Sequence, residues 1–104
     1  MMAEDPKRYL VTVQLRPGSD RLRDIPLVIE WMMGFSRSEH EAAFRSSDGL
    51  LFGFYIKTSS PQFMRAEFEK CRGTINGDAM MIVKAGKLVD AVGFSRAATW
   101  LQRH

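Results

Sequence analysis

The stretch that decides the fold is residues 50–58, Leu-Leu-Phe-Gly-Phe-Tyr-Ile-Lys-Thr. Its even positions are continuously apolar and comprise Leu50, Phe52, Phe54 and Ile56. Because successive side chains of a strand point to opposite faces, this period of two predicts a β-strand with one buried face. Asp48-Gly49, just before it, supplies the positive φ of a tight antiparallel connection. Residues 39–45 are therefore predicted to form the other strand of a hairpin, at the sheet edge, with Ala42 and Phe44 on one face.

Two more strands and two helices follow from the same kind of pattern. Residues 9–15 alternate as a first strand, and residues 79–84, Ala-Met-Met-Ile-Val-Lys, predict a fourth. A turn at residues 16–20 precedes a first helix, which we expect over residues 24–34 because Pro26 fits best in a first turn. Its sheet-facing stripe is predicted to contain Leu22, Ile25, Ile29, Met32 and Met33. Ser60-Pro61 predicts the start of a second helix, which Gly73 ends.

The order of these elements predicts an α+β fold, a ferredoxin-like β-α-β-β-α-β sandwich with a short C-terminal helix near residues 95–102. Residues 87–92 fit either an added strand or a helix. A chain of 104 residues is expected to form one domain, residues 1–104, with residues 1–7 as a flexible lead-in. Both helices should cover one face of the sheet. The other face then meets solvent, a partner copy or a ligand.

Composition narrows the class of protein. The chain is 45% hydrophobic and 26% charged, as is usual for globular domains, and its net charge of +3 is dispersed without a basic block. Cys71 is the only cysteine, so no internal disulfide can form. No apolar run reaches the ~18 to 20 residues that cross a bilayer, and residues 1–8 lack the pattern of a signal peptide. We therefore expect a cytoplasmic location and no membrane partner.

The sequence predicts no catalytic residue, no metal and no cofactor. His40 stands between Glu39 and Glu41, but neighbouring side chains of a strand alternate faces and cannot gather as ligands. No Gly-x-Ser-x-Gly elbow and no phosphate-binding loop occurs in the sequence. The scattered aspartates and glutamates are interpreted as caps, turns and surface charge.

Phe52-Gly53-Phe54 resembles part of the third-strand signature of RNA-recognition motifs, in which aromatic side chains on the sheet stack on bases. The match lacks the leading basic-glycine pair, and Lys57 stands where that signature has an aromatic residue. If both phenylalanines faced RNA, Lys57 would face the core, where a charge without a partner is costly. We therefore predict that Phe52 and Phe54 are core residues.

A second resemblance involves residues 55–61, Tyr-Ile-Lys-Thr-Ser-Ser-Pro, with the helix after them, and residues 77–83, Gly-Asp-Ala-Met-Met-Ile-Val. These segments resemble the second half of the small ferredoxin-fold CRISPR-associated nucleases and their toxin-like relatives. The resemblance implies a homodimer that binds nucleic acid. The nucleases of that family carry an aspartate at the end of strand one, where this chain has Gln14. An uncharged amide cannot replace that carboxylate, so the resemblance favours a dimer more than a nuclease.

Three functions are open at this point. The leading hypothesis is a non-catalytic homodimer with an interaction or regulatory role, because a small domain gains stability by pairing. The second is nucleic-acid binding, and the third is a dimeric α/β-barrel enzyme or binder of small molecules, which needs an enclosed pocket. The open sheet face should carry Leu10, Thr12, Gln14, Leu51, Tyr55 and Lys57. The candidate contact residues are Gln14, Arg16, Tyr55 and Lys57.

Overall fold

The structure is a computed structural model and describes residues 6–36, 39–86 and 100. Its strands are β1 (Lys7–Gln14), β2 (His40–Arg45), β3 (Leu51–Thr58) and β4 (Ala79–Lys84). Its helices are α1 (Arg21–Met33) and α2 (Pro61–Glu67), and a 3₁₀ turn over Phe68–Lys70 extends α2. No helix within the described residues has the length and apolar character needed to span a membrane.

The four strands form one antiparallel sheet in the order β2-β3-β1-β4. This confirms the predicted α+β class, and it places β2 at an edge as expected. In the central pair of strands, Val13 lies opposite Phe52 and Val11 opposite Phe54. On the outer side of β1, Gln14 lies opposite Ala79 of β4.

The core lies between one face of the sheet and both helices. Val11 and Phe52 of the sheet are fully buried together with Val28 and Met32 of α1 and Met64 of α2. Ile56 is also fully buried, and Phe54 packs against the same cluster. The predicted core side of residues 50–58 is thus confirmed, because the apolar positions that recur every two residues face the helices.

Helix α1 differs from its prediction at the N-terminal end. It begins at Arg21, so Pro26 lies inside it rather than in its first turn. Pro26 and Leu22 are exposed, so the helical hydrogen bond that proline removes, to the Leu22 carbonyl, faces solvent. Leu22 was therefore wrongly assigned to the buried stripe, where Arg21 and Asp24 lie instead.

Other boundaries shift by small amounts. Strand β1 begins at Lys7, so the expected lead-in is shorter, because backbone pairing with Thr58 continues the ladder although the Lys7 side chain is exposed. Helix α2 begins at Pro61 as expected but tightens into a 3₁₀ turn before Gly73. Residues 1–5, the ambiguous segment 87–92 and the predicted C-terminal helix, apart from Trp100, lie outside the described residues.

The hairpin turn between β2 and β3 has the chemistry that its sequence predicts. Gly49 adopts a φ of 77°, a conformation that favours glycine. The Asp48 carboxylate accepts hydrogen bonds from the Ser46 hydroxyl at 2.6 Å and the Leu50 backbone N–H at 3.0 Å. Because both bonds favour the charged form, led by the Ser46 bond, they lower the pKa of Asp48 from its usual value.

Candidate interaction surface

The sheet face that points away from the helices is the candidate functional surface, and we call it the open face. In β1 and β3 it carries the side chains that alternate with the core residues, as the sequence predicted. These are Leu10, Thr12, Gln14, Leu51, Tyr55 and Lys57, with Gly53 between them and Met81 and Val83 added by β4. The register joins them into rows, one of which runs Tyr55, Leu10, Val83 across three strands.

Three large apolar side chains of the open face are accessible to solvent. Met81 is 59% exposed, Val83 46% and Phe44 37%. Met81 and Val83 lie on the edge strand β4, and Phe44 on the edge strand β2. Between these two edges the face carries the half-buried Leu10, Leu51 and Tyr55. Apolar side chains grouped on one face mark interaction sites in soluble proteins more often than scattered single residues do.

Phe44 reaches the open face because β2 contains a bulge. Ala42 pairs with Phe54, whereas Phe44 pairs with Gly53, and the register shifts between them. The extra residue reverses the alternation, so the prediction that Ala42 and Phe44 share a face is wrong. The Phe44 ring then lies where a side chain at position 53 would be, so Gly53 permits this close approach.

Trp100 packs against the open face from a distant part of the sequence. Its ring stacks on that of Tyr55 with a centroid separation of 6.0 Å and an interplanar angle of 19°. Trp100 is only 6% exposed, whereas Tyr55 is half-buried. The sequence predicted that Trp100 would pack, but it gave no signal for the surface that it packs on.

The four candidate contact residues lie in two separate places. Tyr55 and Lys57 are neighbours on the open face, and the Lys57 Nζ lies 3.7 Å from the Glu39 carboxylate. Gln14 lies at the other end of β1. It is six residues from Arg8, which pairs with Lys57, and six residues of a strand span ~20 Å. Arg16 lies beyond Gln14, and its side chain lies against Gly77. The structure therefore does not gather these residues into one basic patch.

At the end of β1, where the nuclease family has an aspartate, this chain has Gln14, and the carboxylate of the adjacent Asp78 is held in hydrogen bonds. Gln14 is exposed and lies beside the start of β4, which Asp78 precedes. The Asp78 carboxylate accepts hydrogen bonds from the backbone N–H of Arg16 at 2.7 Å and of Ile75 at 2.8 Å, and from the Arg21 guanidinium at 2.8 Å. Among the described residues, no three His, Cys, Asp or Glu side chains are grouped so that they could hold a metal ion.

Ser36 and His40 form a pair that the sequence did not indicate. The Ser36 hydroxyl donates to the Met33 carbonyl at 2.8 Å, and its oxygen lies 2.9 Å from the His40 Nδ1. With its own proton given to the carbonyl, the hydroxyl can accept from an Nδ1–H. Ser36 is buried. The pair thus ties the end of α1 to β2 and does not expose a nucleophile.

Cys71 is a core residue, and its chemistry can be predicted from its burial. Desolvation raises the pKa of the Cys71 thiol to about 11, and its Sγ lies 3.1 Å from the Arg72 carbonyl oxygen. Because only the thiolate reacts, we expect the folded protein to be alkylated by iodoacetamide at pH 8 at least ~100-fold more slowly than the urea-unfolded chain. Mass spectrometry of timed samples measures both rates. Equal rates would show that Cys71 is accessible in the folded state.

Comparison with known proteins gives no functional assignment. No protein-family model matches the chain, and neither a curated protein nor a solved structure does. The candidate function must therefore be argued from the surfaces of the molecule, among which the open face carries three exposed large apolar side chains.

Proposed function

We propose that this protein is a non-catalytic homodimeric interaction module, and that its dimer contact is the open face. The observation that carries the proposal is the exposure of Met81, Val83 and Phe44 on one sheet face, beside the stacked Tyr55 and Trp100. A second copy of the chain is the occupant that fits this surface, because an isologous contact brings the same apolar patch to both sides.

The size of the open face supports a dimer that depends on concentration. Four strands of about six residues cover ~19 Å by ~20 Å, or roughly 380 Å², so two faces in contact would bury roughly 760 Å² in total. That area is smaller than in stable interfaces and falls in the range of weak ones, where dissociation at low concentration is usual. The gain is nevertheless useful, because the core of a 104-residue domain is small.

The topology proposed for the domain is ferredoxin-like. Read from the other edge, the sheet order is β4-β1-β3-β2 with every neighbouring pair antiparallel, and both helices pack on one face. This split β-α-β arrangement supports the assignment.

The resemblance of residues 55–61 and 77–83 to the CRISPR-associated family supports the homodimer. The single cysteine, which allows no internal disulfide, supports a cytoplasmic location.

Met81→Glu tests the proposal directly. We expect sedimentation equilibrium of the wild-type protein to show a monomer-dimer equilibrium at micromolar concentrations, and Met81→Glu to weaken dimerisation by at least ~tenfold. The reason is that each copy would bring a charge without a partner into an apolar contact. The measurement is the dissociation constant of the dimer, obtained over a range of concentrations.

Leu22→Glu is the matched control, since Leu22 is an exposed leucine on α1, on the other side of the sheet. We expect it to leave the dissociation constant unchanged. A wild-type protein that is monomeric at high micromolar concentration would contradict the proposal. So would equal effects of the two glutamates.

A further inference from the structure

A cleft on the helix side of the sheet carries an inference that goes beyond the proposed dimer. It lies between α2 and the β1–β4 edge and has a volume of about 230 Å³. Its lining consists of Tyr9, Pro61, Gln62, Arg65, Ile82 and Lys84. Pro61 and Ile82 give it an apolar floor, and the other four supply a phenol, an amide and two cations.

Local structure places these polar groups around the floor. Tyr9 and Lys84 are partners in the β1–β4 ladder, so their side chains lie side by side on the helix face of the sheet. Gln62 and Arg65 are three residues apart on α2, which puts them on one side of that helix. Two cations from different elements therefore line one small depression.

Within the part of the chain that the structure describes, the two cations of the cleft have no acidic partner. None of the described residues that line the cleft is an aspartate or glutamate. The side chains of Arg65 and Lys84 make no hydrogen bond or ion pair with any residue in the described part of the chain. By contrast, Lys57 and Lys70 each have a carboxylate within 4 Å, at 3.7 and 3.6 Å. Two unpaired cations beside an apolar floor favour a ligand that is both anionic and apolar.

We propose that this cleft binds a small organic anion, in which one ring lies on Pro61 and Ile82 and one acid group lies between Arg65 and Lys84. The cleft has room for about seven or eight waters, which suits a single ring with one phosphate or carboxylate. Arg65 supplies the planar fork that binds such an oxyanion through two hydrogen bonds, and Lys84 adds a point charge. The Tyr9 hydroxyl and the Gln62 amide complete the polar rim.

Phenyl phosphate and phenylacetate are the probes, since they share the ring and differ in the acid group. In a titration followed by ¹H–¹⁵N NMR, we expect saturable shifts confined to the amides of Tyr9, Gln62, Arg65 and Lys84. A ligand of this size should have a dissociation constant on the order of 1 mM. The probe that binds more tightly identifies the acid group as a phosphate monoester or a carboxylate.

Arg65→Ala and Lys84→Met test the residues. Each is expected to weaken binding at least roughly tenfold, because each removes a charge-assisted contact. Both side chains are exposed, so the variants should fold, which the unchanged remainder of the spectrum would show. Arg72→Ala is the matched control, since Arg72 is an exposed arginine outside the cleft, and it should bind as the wild type does.

Several outcomes would overturn the proposal. Binding that is unchanged in both cleft variants would remove the site. Equal shifts with inorganic phosphate or with neutral benzyl alcohol would show that the ring or the acid group plays no part. A further contrary result is a single-stranded oligonucleotide that binds more tightly than either probe and shifts the amides of Lys7, Arg8 and Lys57 as well. That result would assign Arg65 and Lys84 to a nucleic-acid surface and not to a small-molecule site. None of these results depends on the oligomeric state, so they leave the dimer to its own test.

Discussion

Arg21→Ala is expected to lower the free energy of unfolding by about 3 to 5 kcal/mol, whereas Arg23→Ala should cost less than about 1 kcal/mol. Both arginines contact the same buried carboxylate, Asp24, at 3.4 Å. They differ in burial, since the Arg21 side chain is 5% exposed and the Arg23 side chain 70%. The pair therefore separates the effect of burial from that of the contact itself.

The large effect arises from the two carboxylates that lose their buried partner when Arg21 is removed. Arg21 is the buried guanidinium that contacts both Asp24 and Asp78, at 3.4 and 2.8 Å. Without it, among the described residues, the buried Asp24 carboxylate keeps only the exposed Arg23, and the Asp78 carboxylate keeps only the backbone N–H groups of Arg16 and Ile75. Within the described residues, Nε and Nη1 of Arg21 donate no hydrogen bond, so the burial of the guanidinium is only partly compensated. Removing one member of a buried ion pair is nevertheless costly, because the remaining carboxylates stay desolvated and lose their buried counter-charge.

Urea denaturation followed by circular dichroism measures the difference. We expect the midpoint to fall sharply for Arg21→Ala and to change little for Arg23→Ala, with similar slopes for both. Equal midpoints for the two variants would show that the Arg21 network is accessible to water in solution. It would also mean that the loop before β4, which carries Asp78, is not held to α1 by Arg21.

The strands were predictable because each is decided by its own side chains. Residues 79–84 are the observed β4, and residues 50–58 differ from β3 by one residue. In both, the alternation of side chains and flanking turn residues such as Asp48-Gly49 specify the element without distant contacts. The faces of β1 and β3 followed from the same period, and with them most of the open face.

Helix α1 and the bulge of β2 were not predictable in this way. The stripe of α1 includes Arg21 and Asp24 because Asp78, which is 57 residues from Arg21, provides a buried partner for the guanidinium. Hydropathy alone favours Leu22 over a charged residue at such a position. Phe44 turns to the open face because Gly53 of the neighbouring strand leaves space for its ring.

The candidate sites show the same division. Tyr55 was assigned to the open face correctly, but its stacking partner Trp100 lies 45 residues later and could not be paired with it from sequence. The cleft joins Tyr9, Arg65 and Lys84 from three elements, and none of the three has a motif around it. Surfaces made by one strand are thus readable from sequence, whereas those made where elements meet are not.

Phe52→Ala and Phe44→Ala compare the contributions of the two faces of the sheet, because the same truncation is made on each face. Phe52 is fully buried on the helix face, whereas Phe44 lies over Gly53 on the open face, one strand away. We expect Phe52→Ala to cost about 3 to 5 kcal/mol of unfolding free energy, because the ring leaves a cavity in a close-packed core. Phe44→Ala should cost only about 1 kcal/mol, since its ring is already partly in water.

The effects of the two variants on dimerisation should have the opposite order to their effects on stability. Phe44→Ala removes apolar area from the proposed contact and is expected to weaken dimerisation, while the part of Phe52→Ala that stays folded should dimerise as the wild type does. Urea denaturation at a fixed protein concentration and sedimentation equilibrium measure the two effects separately. If Phe44→Ala left the dimer unchanged, the contact would have to lie elsewhere than the β2 side of the open face. If Phe52→Ala lowered the free energy of unfolding only slightly, residues 50–58 would not be the centre of the core. The assignment of the two faces of the sheet would then be wrong.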